Sequence, residues 1–149
     1  MPYCVIMVGP PGSGKTTLFK KKLRPSKFVS VSRDEIRETM FGKRYKQNPN
    51  DEKRVTLAFN HILQMAVDSK QNIALDNTHC NRKYLDEARW NMIKGDYKVF
   101  VHFMDTPKWL CKVRVLWRTV CGGRWVPFKV IDRMFEQYNQ INRNNYETI

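Results

Sequence analysis

The sequence has few acidic residues and no long apolar segment, and both shortages exclude classes of protein. Its 149 residues include 14 Asp and Glu against 27 Lys and Arg, a formal net charge of +13. Such an excess of cations makes a polyanion the expected partner. No apolar run approaches the roughly 18–20 residues of a transmembrane helix. The start, Met1-Pro2-Tyr3-Cys4, lacks the charged and apolar parts of a signal peptide. We therefore expect no membrane partner and a cytoplasmic location, the host cytoplasm if the chain is viral.

Cysteine is also scarce, which argues against a secreted disulfide scaffold. The four cysteines are Cys4, Cys80, Cys111 and Cys121, in a chain longer than such scaffolds usually are. They form no C-x-x-C pair, and no two of them stand at zinc-ligand spacing with a histidine. We interpret them as reduced thiols of a cytosolic protein.

No internal repeat, low-complexity tract or Gly/Ser/Pro-rich linker interrupts the chain, so we expect one domain over residues 1–149. Apolar patterning predicts strands over 5–8, 28–31, 73–76 and 97–104. Helices are predicted from about residue 15, over 33–40, 51–69 and 82–94, after Pro107, and from Pro127. Ser32 and Glu35 form a candidate capping box, and Gly95 a candidate C-cap. Strands alternating with helices predict a three-layer α/β fold with a parallel sheet of about four strands.

The strongest motif is a glycine-rich segment between the first predicted strand and the first helix. It reads Gly9-Pro10-Pro11-Gly12-Ser13-Gly14-Lys15-Thr16, followed by Thr17, and fits the G-x-x-x-x-G-K-[ST] pattern at every defined position. Backbone amides of such a loop point at phosphate oxygens, and the positive end of the helix lies behind them. We expect Lys15 to contact the β and γ phosphates of a nucleoside triphosphate, and Thr16 to hold Mg²⁺ through its hydroxyl.

A carboxylate and a guanidinium follow the second predicted strand. Asp34 and Arg37 are three residues apart on one helix face, and ligands of a parallel sheet gather at the carboxyl ends of its strands. A kinase needs a carboxylate that accepts the proton of the attacking hydroxyl, and a cation that holds an acceptor phosphate. We assign these roles to Asp34 and Arg37. The alternative is a helix-terminal acid in a surface ion pair.

A third polar group ends the third predicted strand, and we assign it to the substrate side of the site. It consists of Asp76, Asn77, Thr78 and His79. Asp76 is predicted to orient catalytic groups or to bind Mg²⁺ through water; the alternative is a cap of the strand end. His79 is interpreted as polar filler or a substrate contact rather than a base.

A basic segment precedes the last predicted helix. It contains one acid, Asp132, and seven cations: Lys108, Lys112, Arg114, Arg118, Arg124, Lys129 and Arg133. We predict a lid over 114–126 that hinges at Gly122-Gly123 and carries arginine over the triphosphate; the alternative is a solvated basic face. Trp109, Trp117 and Trp125 stand among these cations. They are candidates for base stacking or for the core; helical spacing cannot separate these two roles, and we slightly favour the core.

The order GPPGSGKT, SRDEIR, DNTHCN and an Arg-rich segment followed by VPFKVIDRM resembles the kinase domain of bacteriophage-type polynucleotide 5′-kinases. The resemblance covers nearly the whole chain, and the RD-x-x-R element is its most specific part. It implies ATP- and Mg²⁺-dependent phosphorylation of 5′-hydroxyl ends of DNA or RNA. Residue by residue, it implies that Lys15 and Thr16 are the Walker residues, Asp34 the general base and Arg37 the acceptor-phosphate ligand.

The resemblance also covers the third strand end and the lid. Asp76 matches the family's strand-end acid, with Asn77 as a one-residue alternative, and His79 stands where the family's D-x-T-N element has Asn. Arg118 matches the catalytic lid arginine best, with Arg114 and Arg124 as rivals that would contact the nucleotide. The stretch 118–127 is longer than usual, and the sequence has no counterpart of the phosphatase domain that many relatives carry.

Three functions remain open at this stage. The first is a polynucleotide 5′-hydroxyl kinase, and the second is a P-loop kinase for a nucleoside or a similar small molecule. The third is a nucleic-acid-binding module that uses ATP only as a switch. The net charge of +13 favours the first over the second, because a small-molecule kinase needs no wide basic surface. Asp34 argues against a switch, which needs no base. The preference for DNA or RNA and the oligomeric state are left open.

Overall fold

Four parallel strands form the central sheet of the protein. A computed structural model describes residues 1–43, 48–76 and 80–149. The strands are β1 (Tyr3–Val8), β2 (Phe28–Val31), β3 (Asn72–Asp76) and β4 (Lys98–Phe103), in the order β2-β3-β1-β4. The register pairs Met7 of β1 with Asp76 of β3. Asp76 therefore lies beside the end of β1, where the glycine-rich loop begins. The predicted α/β fold with a parallel four-stranded sheet is confirmed.

The helices follow the predicted order. They are α1 (Lys15–Leu18), which continues as a π-helical segment (Phe19–Leu23), α2 (Arg33–Phe41), α3 (Pro49–Asp68), α4 (Arg82–Lys94), α5 (Lys108–Val120) and α6 (Phe128–Asn139). Ser32 caps α2 by accepting a hydrogen bond from the Glu35 amide at 3.3 Å. Gly95 is the C-cap of α4, as expected, but the residue with a left-handed backbone conformation at this helix end is Asp96, whose φ is 63°. No helix within the described ranges is long and apolar enough to cross a membrane.

Alternate residues of β1 face opposite layers of the fold. Ile6 and Val8 belong to a core that includes Leu85 of α4 and is covered by side chains of α3. Met7 belongs to a second core together with Phe19 of the π-helical segment. Because strand side chains alternate between the two faces of a sheet, this arrangement places helices on both faces. The three-layer organisation follows from the strand pattern.

Helices α5 and α6 share a small core of their own, formed by Val115, Val126 and Ile131. We call these three residues the lid core. The turn between the helices contains Gly122, whose φ is 93°. At Gly123 an added Cβ would lie 2.6 Å from Cγ of Arg118 and 2.8 Å from its carbonyl oxygen. Glycine is therefore required at 122 for its backbone angle, as expected, but at 123 for close packing against Arg118.

Candidate nucleotide and acceptor site

The glycine-rich loop lies between β1 and α1 and packs tightly against the start of α5. Gly12 has a φ of 80°, and a Cβ there would lie 2.6 Å from the carbonyl oxygen of Cys111. Only glycine fits this position, because it tolerates both the backbone angle and the close approach. The loop thus has the strand–loop–helix context that its phosphate-binding motif requires.

Lys15 is buried at the start of α1, and the loop itself holds its ammonium group. Its Nζ donates hydrogen bonds to the carbonyl oxygens of Gly9 at 2.6 Å and Pro10 at 3.2 Å. Burial lowers the pKa of Lys15, and the nearby carboxylates of Asp76 and Asp34 oppose this shift. A phosphate oxygen would form a stronger, charge-assisted hydrogen bond with this ammonium than a carbonyl does. The loop therefore places a cation where a polyphosphate would bind.

Thr16 and Asp76 bring two oxygen groups together beside Lys15. The Thr16 hydroxyl donates to Oδ2 of Asp76 at 3.3 Å. Asp76 is buried, which raises the pKa of its carboxyl group, and the Lys15 ammonium opposes the shift. Hydroxyl and carboxylate oxygens suit Mg²⁺, which usually keeps several waters and binds phosphates as well. In the described part of the chain no three His, Cys, Asp or Glu side chains are grouped for a metal. This pair therefore fits Mg²⁺ held jointly with a nucleotide.

The hydroxyl oxygen of Ser13 is a further polar group of the loop. It is buried and has no hydrogen-bond partner among the described residues. A buried hydroxyl without a partner is costly, so it favours a ligand that supplies one. The predicted substrate residues Asn77, Thr78 and His79 lie outside the described residues, and their roles stay predictions.

Asp34 and Arg37 lie together on the first turns of α2. The Arg37 Nη1 donates to Oδ1 of Asp34 at 2.6 Å, and the Asp34 side chain is 70% exposed. The ion pair that the sequence left as an alternative is therefore present. It does not close the site, since the exposed carboxylate stays accessible to a substrate hydroxyl. Because α2 begins after β2, Asp34 lies at the same edge of the parallel sheet as the phosphate loop after β1.

Glu52 of α3 lies against the Asp34–Arg37 pair, and sequence reasoning missed it. It accepts from Arg37 through two parallel hydrogen bonds, Nε to Oε1 at 2.7 Å and Nη2 to Oε2 at 3.0 Å. Arg33 approaches the same carboxylate at 3.4 Å. These hydrogen bonds, with that from Arg37 first, hold the pKa of Glu52 below its usual value. Glu52 thus fixes the Arg37 guanidinium in one orientation.

The three arginines of the predicted lid make different contacts. Arg114 Nη1 donates to the carbonyl oxygen of Gly12 at 3.2 Å, and Arg124 Nη1 lies 3.9 Å from Oδ1 of Asp34. The Arg118 guanidinium makes no hydrogen bond or ion pair with any residue that the structure describes. Arg114 therefore contacts the phosphate loop and Arg124 lies near Asp34, whereas the Arg118 guanidinium could bind a ligand without losing a contact to the described residues.

The three tryptophans of the basic segment are all on the surface. Trp109 is 66% exposed, Trp117 is 69% exposed and Trp125 is 46% exposed. Of the two roles that the sequence left open, the slightly favoured one, in the core, is wrong. The buried face of α5 is formed instead by Cys111 and Val115, which are four residues apart. The sequence could not separate the two faces, because both are apolar.

Several solved structures share the fold. A chain of the Pnkp1/Rnl/Hen1 RNA repair complex superimposes with a TM-score of 0.82, at 24% identity over 93% of this chain and 44% of that one. A putative kinase from Chloroflexus aurantiacus J-10-fl has a TM-score of 0.67 at 19% identity, over 87% of this chain and 77% of its own. A gluconokinase from Sinorhizobium meliloti 1021 has a TM-score of 0.62 at 18% identity, over 99% and 80%.

These identities are low, so the likeness establishes the α/β fold and no substrate. The chain spans less than half of the Pnkp1-complex chain. No curated protein sequence matches it significantly. A family model described as an AAA domain, however, matches residues 4–141, almost the whole chain. By that match, and by its phosphate-binding loop and parallel sheet, the chain belongs to this AAA-domain family.

Proposed function

We propose that the protein is a kinase that transfers the γ-phosphate of ATP to the 5′-hydroxyl end of DNA or RNA. The observation that carries this proposal is the exposed Asp34 carboxylate, which is paired with Arg37 and follows β2 at the edge of the parallel sheet where the phosphate loop also begins. A phosphate loop alone serves any nucleotide-binding protein. A carboxylate facing solvent beside it serves a reaction in which a hydroxyl group loses its proton.

In the proposed reaction, Asp34 and Arg37 act on the acceptor, and Lys15 acts on the phosphate donor. Asp34 accepts the proton of the 5′-hydroxyl as its oxygen forms a bond to the γ-phosphorus. The bond from that phosphorus to the β–γ bridging oxygen breaks, and ADP leaves with the electron pair. Arg37 binds the phosphate that follows the terminal nucleoside, and Lys15 neutralises the phosphates of the donor. Bound Mg²⁺, held by Thr16 and by Asp76 through water, would offset charge on the β and γ phosphates.

Charge supports a nucleic acid as the acceptor. The net charge of +13 includes Lys20, Lys21 and Lys22, which are all exposed, besides the lid cations. The structural neighbour from an RNA repair complex is consistent with this class. A second candidate, a small-molecule kinase, is favoured by the gluconokinase, of which this chain covers 80%. We propose that residues 1–149 act as one domain with a lid over 114–126 in either case.

A competition among acceptors separates these candidates. The protein is incubated with γ-labelled ATP and Mg²⁺ and with a 5′-hydroxyl oligonucleotide, a 3′-phosphonucleoside, a free nucleoside and gluconate. We expect label on the oligonucleotide and, more weakly, on the 3′-phosphonucleoside, which also offers a phosphate to Arg37. Label only on the nucleoside or gluconate would contradict the proposal and support a small-molecule kinase.

Replacement of Glu52 by Gln should weaken acceptor binding. Glutamine keeps the size of the side chain but removes the charge that orients Arg37. Hydrogen bonds to charged groups contribute about 1.5–3 kcal/mol, so we expect KM for the acceptor to rise at least about tenfold, while ATP affinity changes little. Steady-state kinetics with each substrate varied in turn measures both. Glu38→Gln is the control, because Glu38 is an exposed acid whose ion pair with Lys43 is long, at 4.0 Å. Equal effects of the two substitutions would contradict the role of Glu52.

Binding of a single strand should weaken steeply as salt is raised. Each phosphate that the protein neutralises releases counterions and contributes about −0.7 to the slope of log K against log salt. A strand that reaches from Arg37 to the lid would contact several cations. We therefore expect the slope of log K against log salt to be about −2 or steeper. Titrations at several KCl concentrations give the slope. A flat response would favour a small acceptor.

A further inference from the structure

Helix α5 has an apolar face that no described residue covers. Trp109, Val113, Leu116, Trp117 and Val120 are all strongly exposed. Their spacing of four, three, one and three residues places them on one side of the helix. We call these five residues the tryptophan stripe. Cys111 and Val115 are fully buried on the opposite side, so the stripe is not the face that holds α5 to the protein.

Cations border the stripe on both sides. Lys112 follows one edge and Arg114 the other, as their positions on the helix require. Lys112 and Lys108 share the Asp132 carboxylate of α6, at 2.8 and 3.3 Å, so one acid faces the four cations of α5. The sequence of α5 contains no acidic residue. A second copy of this chain would bring two such basic borders together, so charge argues against self-association. The complementary partner is anionic and has flat apolar groups that fit against indole rings.

A single-stranded nucleic acid has both properties. Its phosphates match the bordering cations, and its bases stack on exposed aromatic side chains. One border of the stripe approaches the phosphate loop, because Arg114 donates to the carbonyl oxygen of Gly12 at 3.2 Å. Beyond the turn, Trp125 follows Arg124, which lies 3.9 Å from Asp34.

We propose that the tryptophan stripe binds the acceptor strand downstream of its 5′ end, with bases stacked on Trp109 and Trp117. This inference rests on the proposed function, since it takes the 5′ nucleotide to be at Asp34. The stripe would supply affinity that grows with strand length and does not depend on base sequence. Chemistry at the 5′ end needs only the site itself, so a very short acceptor gains nothing from the stripe.

The test uses a fluorescently labelled single strand of about 16 nucleotides, the upper end of common site sizes, with a phosphate already on its 5′ end. Such a strand cannot be phosphorylated there, so its binding is measured without any reaction. We expect Trp117→Ala and Trp109→Ala each to weaken binding roughly tenfold. Trp90→Ala is the matched control: Trp90 is 58% exposed on α4, and its replacement should leave binding unchanged. Circular dichroism confirms that each variant is folded.

A kinetic comparison completes the test. For a long 5′-hydroxyl strand, KM should rise in the two stripe variants by the same factor as the dissociation constant. For a trinucleotide, KM should stay unchanged. Strand affinity unaltered by both substitutions would overturn the proposal, and so would an equal rise for long and short acceptors. Loss of binding to phosphatidylglycerol vesicles without loss of strand binding would also overturn it, because the stripe would then be a lipid surface.

The two proposals fail in different ways. If the wild-type protein phosphorylates the 5′ end but the stripe variants match Trp90→Ala, the strand site is wrong and the kinase assignment stands. If no oligonucleotide is phosphorylated but strand binding still depends on Trp109 and Trp117, the kinase assignment is wrong and the stripe remains a nucleic-acid site.

Discussion

Replacement of Asp34 by Ala or Asn should nearly abolish phosphoryl transfer and leave ATP binding close to that of the unaltered protein. A positioned general base contributes roughly 10²–10⁴ to a rate, and we expect a loss in that range. In its proposed role Asp34 faces the acceptor, and it makes no hydrogen bond with the described residues of the phosphate loop, so ATP affinity should not depend on it. Asn keeps the size of the side chain and an oxygen that accepts from Arg37. Comparison of the Asn and Ala variants therefore separates loss of the base from loss of packing. Single-turnover rates and equilibrium ATP binding are the measurements.

Lys15→Ala is the comparison for this prediction. It removes the ammonium that the loop carbonyls hold at 2.6 and 3.2 Å. Both ATP affinity and transfer should then fall, because the lysine contacts the donor phosphates in the ground state and in the transition state. Near-full turnover in Asp34→Ala would show that the base is assigned wrongly. Weakened ATP binding in Asp34→Asn would place Asp34 on the donor side.

The second large effect is expected at Arg118. Its guanidinium has no hydrogen bond or ion pair with the described residues, whereas Arg114 contacts Gly12 and Arg124 lies next to Asp34. A free guanidinium on a lid can reach the transferring phosphoryl group without first breaking another contact. Arginines that stabilise such a transition state contribute roughly 10³–10⁵ to the rate. Arg118→Ala should therefore lower the single-turnover rate by about that factor and alter ATP affinity little.

Arg114→Ala and Arg124→Ala are the matched variants for the lid. Each removes the same charge from the same segment, so loss of net charge alone would affect all three equally. We expect Arg114→Ala to weaken ATP binding through the phosphate loop, and Arg124→Ala to act mildly through Asp34. A severe rate loss in Arg124→Ala with a mild one in Arg118→Ala would transfer the catalytic role to Arg124.

Local patterns in the sequence were sufficient for the fold and for half of the site. The four strands, the helices and their order follow from apolar periodicity and from end signals such as Ser32, whose cap is confirmed. The glycine-rich loop is contiguous, so its geometry is encoded within eight residues. Asp34 and Arg37 share one helical turn, and their contact at 2.6 Å is a local one.

The remaining parts depend on contacts between distant segments. Glu52 resembles any acidic residue in the first turn of a helix, a position where acids are common. Its hydrogen bonds to Arg37 exist only because α3 packs against α2, and no spacing in the sequence encodes that. The tryptophans of the basic segment were misplaced for a related reason. Helix α5 is apolar on two sides, so periodicity alone could not say which side is buried.

The lid core has a consequence for how the protein unfolds locally. Three side chains, Val115, Val126 and Ile131, hold α5 and α6 together apart from the main cores, and each contributes roughly 1.5–3 kcal/mol when fully buried. Separation of α5 from α6 therefore costs less free energy than exposure of the sheet, whereas α6 is also held to the main core through Tyr138. Backbone amides of α5 would exchange with solvent through this partial opening, long before those of β1.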